Sequence, residues 1–78
     1  MYSVKWILNG VVNERKFDEL EDAQVYFFGR LAYTRKEQNN KKWELVIDLR
    51  SPNGKILLNY YHNPSGDNTF TDLIPITL

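Results

Sequence analysis

The sequence of 78 residues contains no cysteine, three prolines and only four glycines, which are scattered along the chain. The lack of cysteine rules out a disulfide framework and thiolate chemistry. Because small secreted domains usually depend on disulfides, we expect this chain in a reducing compartment, the cytoplasm. The scattered glycines form no phosphate-binding loop. At this length we expect a single domain, residues 1–78, that buries about 60% of the surface its unfolded form exposes.

Long apolar runs and an excess of charge of one sign are absent as well. The longest apolar run, VYFF from Val25 to Phe28, is far too short to cross a bilayer. The opening residues MYSVKWILNG lack a basic-then-apolar pattern, so we expect no secretory leader. Ten basic and ten acidic residues cancel. Affinity for phosphate groups grows with the number of cations presented, so this balance argues against a general binder of nucleic acids or membranes.

Residues suited to catalysis or metal binding are scarce. The only histidine, His62, stands at a predicted strand end near Ser65 and Asp67, in a loop too short to hold a catalytic triad. Zinc sites need three or four suitable ligands, which a chain with one histidine and no cysteine hardly supplies. The acidic residues near the predicted helix start are typical of solvated partners of the helix dipole. We therefore expect no enzyme activity, no metal and no cofactor.

The first part of the chain has the pattern of a β-hairpin. The segment YSVKWIL alternates apolar and polar residues, which is typical of a half-buried strand. The Asn-Gly dipeptide that follows favours a type I′ turn. This turn pairs Leu8 with Val11 and places Lys5 opposite Glu14, a favourable cross-strand charge pair.

Residues 18–38 show helical spacing. Leu20, Ala23, Phe27 and Leu31 recur at steps of 3, 4 and 4, which predicts one buried helix face that Phe28 widens. We expect Asp18 to cap the first amides, with Glu21 completing a capping-box pattern. Acidic residues precede basic ones along this segment, in the order that the helix dipole favours.

A second hairpin follows from residue 43. A four-residue loop around Pro52 and Gly54 predicts the pairs Leu49–Ile56, Ile47–Leu58 and Leu45–Tyr60, whereas a three-residue loop would oppose Ile47 to Asn59. The tail from residue 69, with apolar residues at Phe70, Ile74, Ile76 and Leu78, predicts a short strand that Pro75 confines to a sheet edge.

These elements predict an α+β fold of ββαββ(β) order. We expect a mainly antiparallel sheet of four to five strands with one helix packed on one face. The sequence leaves the strand order open.

The helix also carries candidate binding residues. The segment GRLAYTRKEQNNKK, residues 29–42, holds five basic side chains, and it is either a functional basic patch or a complement to the helix dipole. Tyr26 and Tyr33 point away from the apolar face, so they either contact a partner or lie along the sheet margin, with Gly29 making room for Trp6 or Trp43. The candidate partner-binding residues are Tyr26, Arg30, Tyr33, Arg35, Lys36, Lys41 and Lys42.

A sheet with one helix leaves its other face exposed. Five apolar residues fall on that face: Ile7, Val12, Val46, Leu57 and Tyr61. They form a patch for a homodimer or another protein, they are covered by the C-terminal strand, or they are scattered surface residues.

The sequence thus predicts a non-enzymatic protein-protein interaction module. It would act as an adaptor, an inhibitor or a homodimerising accessory protein, in the style of small bacterial or phage proteins, and it would bind another protein or itself through the exposed sheet face or edge. The alternative is a nucleic-acid-binding domain that uses the basic 30–42 segment and the sheet aromatics.

Overall fold

The computed structural model describes residues 1–38 and 42–75, and it confirms the predicted α+β fold. One helix packs on a five-stranded antiparallel sheet. The elements are β1 (Tyr2–Leu8), β2 (Val11–Phe17), α1 (Leu20–Glu37), β3 (Leu45–Arg50), β4 (Ile56–His62) and β5 (Asn68–Asp72).

The strands lie in the order β2-β1-β3-β4-β5, which the sequence had left open. The two hairpins meet where β1 pairs antiparallel with β3, so that Val4 lies opposite Leu49 and Trp6 opposite Ile47. This pairing places buried apolar side chains of both hairpins in the middle of the sheet. Helix α1 lies over this region and contacts β1, β3 and β2.

The predicted register of the first hairpin is confirmed. Leu8 pairs with Val11, and Lys5 lies opposite Glu14. Asn9 and Gly10 both have positive φ, 49° and 85°, as a type I′ turn requires. The turn is also joined to the start of β3, because the Asn9 amide donates to the Glu44 carbonyl and the Glu44 amide donates to Asn9 Oδ1, both at 2.9 Å.

The predicted register of the second hairpin is wrong by two residues. Ile47 pairs with Tyr60 and Leu49 with Leu58, while Arg50 pairs with Ile56 across a register shift. The shift is a β-bulge next to a turn in which the Gly54 amide donates to the Ser51 carbonyl at 2.9 Å. An offset of two residues leaves the paired residues from Leu45 to Leu49 on their predicted faces, since side chains alternate with period two. At the bulge the prediction fails, because Leu57, expected on the uncovered face, is buried in the core.

The helix packs through the predicted face but begins later than predicted. Ala23, Phe27 and Leu31 are buried, and Leu20 is half-buried against the core. Glu19 holds the N-cap position without a side-chain hydrogen bond, so the expectation that Asp18 caps the helix is wrong.

Phe28 does not widen the buried face as predicted. It is 45% exposed and packs edge-on against Phe27 at the helix margin. Its ring centroid is 6.1 Å from that of Phe70, on edge strand β5.

The last strand, β5, lies at the sheet edge, as predicted for a segment near Pro75. It ends at Asp72, and Ile74 packs partly against the core. Ile76 and Leu78, the other apolar residues of the predicted tail strand, lie outside the described residues. Within the described residues, no helix combines the length and apolarity needed to span a bilayer.

Candidate functional site

The side of α1 that faces away from the sheet carries a row of exposed residues, here termed the outer stripe. Successive residues of a helix are rotated by about 100°, so positions separated by three, four or seven residues share one side. Val25 and Tyr33, at 70% and 57% exposure, are among its members. All five members are exposed: Asp22, Val25, Gly29, Tyr33 and Lys36.

A shallow groove runs beside the outer stripe, on the side of the helix nearest β2. Its volume is about 260 Å³, and its lining is mostly apolar. The residues that line it are Val25, Tyr26, Gly29, Arg30 and Tyr33. This flank groove therefore brings together three of the predicted partner-binding residues, Tyr26, Arg30 and Tyr33.

Arg30 forms one wall of the flank groove by stacking between two aromatic rings. Its guanidinium carbon is 4.9 Å from the ring centroid of Trp6 and 5.2 Å from that of Tyr33. Both distances lie within the range of cation–π attraction. The interaction links the exposed Tyr33 ring to Trp6, which is buried in the core, and so favours one position of Tyr33.

Tyr26 is held in a similar way at the other end of the flank groove. Its ring centroid is 5.7 Å from that of Trp6 and 5.2 Å from that of Phe17. The guanidinium carbon of Arg15, on β2, lies 5.1 Å from the Tyr26 ring centroid. Tyr26 is half-buried as a result. Its ring packs along the sheet margin, which was one of the two placements expected for it.

Two arginines place positive charge at the flank groove, Arg30 in its lining and Arg15 beside the Tyr26 ring. Within residues 1–38 and 42–75, the single salt bridge joins Arg50 to Asp48, so neither Arg15 nor Arg30 is paired with a carboxylate there.

At the Tyr33 end of the flank groove, a hydrogen bond to Glu37 and the charge of that carboxylate raise the pKa of Tyr33. The Tyr33 phenol is therefore neutral at physiological pH.

Gly29 lies at the base of the flank groove in the middle of a regular helix. A Cβ atom built on this residue meets no heavy atom within 4 Å. The interpretation that Gly29 makes room for Trp6 or Trp43 is therefore wrong. Glycine costs about 1 kcal/mol relative to alanine inside a helix, and no contact within the described chain offsets this cost.

The remaining predicted basic residues do not converge on the flank groove. Lys36 belongs to the outer stripe, whereas Arg35 is rotated by about 100° from it around the helix axis. Lys42 is exposed in the connection before β3. Lys41 lies outside the described residues.

Two contributors to the surface were not predicted from the sequence. The sequence contains the information needed to identify Val25, because it is a large apolar residue off the buried helix face. It contains none for Arg15, because the position of Arg15 beside Tyr26 depends on β2 lying at the sheet edge next to the helix.

The face of the sheet that α1 leaves uncovered carries an apolar row across four strands. Register pairs connect Val12 to Ile7, Ile7 to Val46, and Val46 to Tyr61. This open-face row is therefore continuous across β2, β1, β3 and β4. Leu57, the fifth residue assigned to this face, is buried.

A polar row lies next to the open-face row. Asp48, only 8% exposed, accepts a hydrogen bond from Asn59 and forms an ion pair with Arg50 at 3.3 Å. Lys5 lies opposite Asp48 on the neighbouring strand. Docking on the open face would have to cover these charged groups, which is costly unless a partner supplies matching ones.

His62 occupies a structural position at the end of the sheet. Its ring stacks on that of Trp43 with centroids 3.7 Å apart and an angle of 11° between the planes. The described part of the chain holds no group of three or more His, Cys, Asp or Glu side chains that could bind a metal ion.

Comparison of the chain with protein-family models, curated proteins and solved structures found no match in any of the three.

Proposed function

We propose that the protein is a non-enzymatic protein-binding module of the cytoplasm, and that it docks through the flank groove and the outer stripe of α1. The observation that carries this proposal is the open space above Gly29 in mid-helix. An internal glycine with no packing role in its own chain is explained if the backbone of another chain approaches there.

The surroundings of Gly29 support protein recognition. Tyrosine and arginine are enriched among residues that dominate binding energy at protein interfaces. Tyr33 and Arg30 are held by stacking in the free protein, so little side-chain freedom remains to be lost on binding. Val25 adds an exposed apolar contact at the rim.

The charges of the flank groove indicate what a partner segment presents. Arg15 and Arg30 rest on aromatic rings without a carboxylate partner in the described chain. A closely approaching backbone over Gly29 and an acidic side chain near either guanidinium complement this arrangement.

Site-specific photo-crosslinking in cells of the source organism tests the proposal. A photoreactive residue replaces Val25, and in a matched control it replaces Val11, an exposed valine outside both the flank groove and the open-face row. We expect a protein adduct from position 25 that weakens with Tyr33→Ser. No adduct at position 25, or equal adducts at both positions, contradicts the proposal.

Self-association through the open-face row is the second form of this function. The continuous apolar row from Val12 to Tyr61 supports it, and the buried Asp48 network beside the row weighs against it. Replacing Ile7 and Val46 with Ser tests it by sedimentation velocity. Association that is unchanged in this double variant removes the open face from consideration.

Nucleic-acid binding is the alternative function, and the geometry gives it less support. Trp6 and Tyr60 lie buried on the sheet face that the helix covers, where bases cannot stack on them. Exposed Arg35, Lys36 and Lys42 still offer contacts to phosphates. Binding of mixed oligonucleotides at low salt, with an affinity that falls steeply as salt rises, would favour this alternative over protein binding.

A further inference from the structure

We infer that the occupant of the outer stripe is a second copy of this chain, whose helix packs antiparallel to α1 across Gly29. The inference rests on the proposed function, since it assigns a partner to the same surface. The two sheets would then lie on the outside of a four-layer dimer, with the two helices paired between them.

The outer stripe has the same spacing in both directions from Gly29. Val25 and Tyr33 each lie four residues away, and Asp22 and Lys36 each lie seven residues away. A two-fold axis through Gly29 therefore brings Val25 against the partner's Tyr33 and Asp22 against the partner's Lys36. Each contact occurs twice, as a symmetric interface requires.

Glycine at the axis allows this arrangement. Two helices pack with axes about 8–10 Å apart, and the smallest separations need small side chains at the crossing point. Gly29 is exposed, and nothing in the described chain occupies the space above it. A crossing angle near 20° keeps both ends of the outer stripe within reach of the partner helix.

The charge distribution of the helix favours the antiparallel orientation. Glu21 and Asp22 lie in the first turn of α1, and Arg35 and Lys36 in the last. Antiparallel pairing sets each acidic end beside a basic end, whereas parallel pairing sets like charges together. The chain has a formal net charge of zero, so overall repulsion does not oppose the association of two copies.

The size of the contact sets the expected affinity. A helix of 18 residues is about 27 Å long, so the interface falls in the small class that gives weak complexes. We expect a Kd on the order of 10–100 µM, with weaker association at high salt.

Reciprocal charge reversal tests the geometry by sedimentation velocity on the purified full chain. The wild-type mass should rise from the monomer value of 9.3 kDa towards twice that value with concentration. Asp22→Lys and Lys36→Asp should each weaken self-association at least tenfold, because like charges then meet at both ends. An equimolar mixture of the two variants should associate again, since the introduced lysine of one variant then faces the introduced aspartate of the other. Circular dichroism confirms folding of each variant.

Glu21→Lys and Arg35→Asp are the matched controls. They make the same changes of charge in the same turns of α1. Glu21 and Arg35, however, are rotated by about 100° around the helix axis from Asp22 and Lys36. We expect both controls to associate nearly as the wild type does. A monomeric wild type at about 1 mM, well above the expected Kd, overturns the dimer. Association that is insensitive to the stripe variants, or a mixture that stays monomeric, also overturns it.

Crosslinking from position 25 distinguishes failure of the dimer from failure of the proposed function. Monomeric protein that still crosslinks to a different protein in cells overturns only the self-pairing. Monomeric protein without any adduct contradicts both.

Discussion

The two sides of helix α1 differ in what they do for the fold, although both carry large apolar or aromatic residues. Ala23, Phe27 and Leu31 on the inner side are buried against the sheet. Val25 and Tyr33 on the outer side are largely exposed. The inner residues stabilise the fold by leaving water, at about 25 cal/mol per Å² of apolar surface. The outer residues gain little of this in the monomer, so substitutions on the two sides should separate stability from binding.

The largest effect is expected from Phe27→Ala on the inner side. The side chain is fully buried, so its removal should lower the free energy of unfolding by about 3–5 kcal/mol through lost burial and a cavity. Urea denaturation followed by circular dichroism measures the loss. Phe28 is adjacent and half-exposed, so Phe28→Ala should lower the free energy of unfolding by only about 1 kcal/mol. Equal losses at both positions would contradict the difference between the two sides.

Gly29→Gln on the outer side should change stability and binding in opposite directions. The free energy of unfolding should rise by about 0.5–1 kcal/mol, because glutamine favours the helix and the new side chain enters open space. Crosslinking through position 25 and self-association should both fall. Ala32→Gln, an exposed change in the next turn, should alter stability by a few tenths of a kcal/mol. A less stable Gly29→Gln variant would show that the glycine is needed for the fold.

An effect on stability no larger than that of Gly29→Gln is expected from Arg30→Ala, at the boundary between the two sides. Loss of the stacking on Trp6 and Tyr33 should cost about 0.5–1 kcal/mol at this partly exposed position. Thermal denaturation measures it, with Arg35→Ala as the control that lacks an aromatic partner in the described chain. An unchanged melting temperature for Arg30→Ala would mean that the guanidinium does not hold the flank groove in place.

The two hairpins show how far the local sequence determines the pairing register of neighbouring strands. The Asn9-Gly10 turn admits essentially one geometry, so the pairing of Leu8 with Val11 follows from the dipeptide. The turn around Pro52 and Gly54 is longer and is followed by a bulge, which spacing alone does not reveal. Away from the bulge, the face assignments remain correct because they depend only on alternation along the strand.

The candidate site, like the hairpins, was predicted from the sequence only where it depends on local spacing. Helical spacing placed Tyr26, Arg30 and Tyr33 on one flank, because residues three or four apart on a helix are neighbours. Arg15 joins them only because β2 folds beside the helix, and no local pattern reports a contact between positions 15 and 26. The N-cap was predicted one residue too early because Asp18 has the preferred side chain, yet the first helical bond, from the Ala23 amide, goes to the Glu19 carbonyl.

The sequence alone determined the element types, the buried side of the helix and the first turn, because these depend on periodicity and on the local backbone preferences of asparagine, glycine and proline. The tertiary structure decided the strand order, the bulge and the stacking of Arg15 and Arg30 on aromatic rings. It also decided that the space above Gly29 stays open, because that space depends on how chain segments distant in sequence pack around the helix.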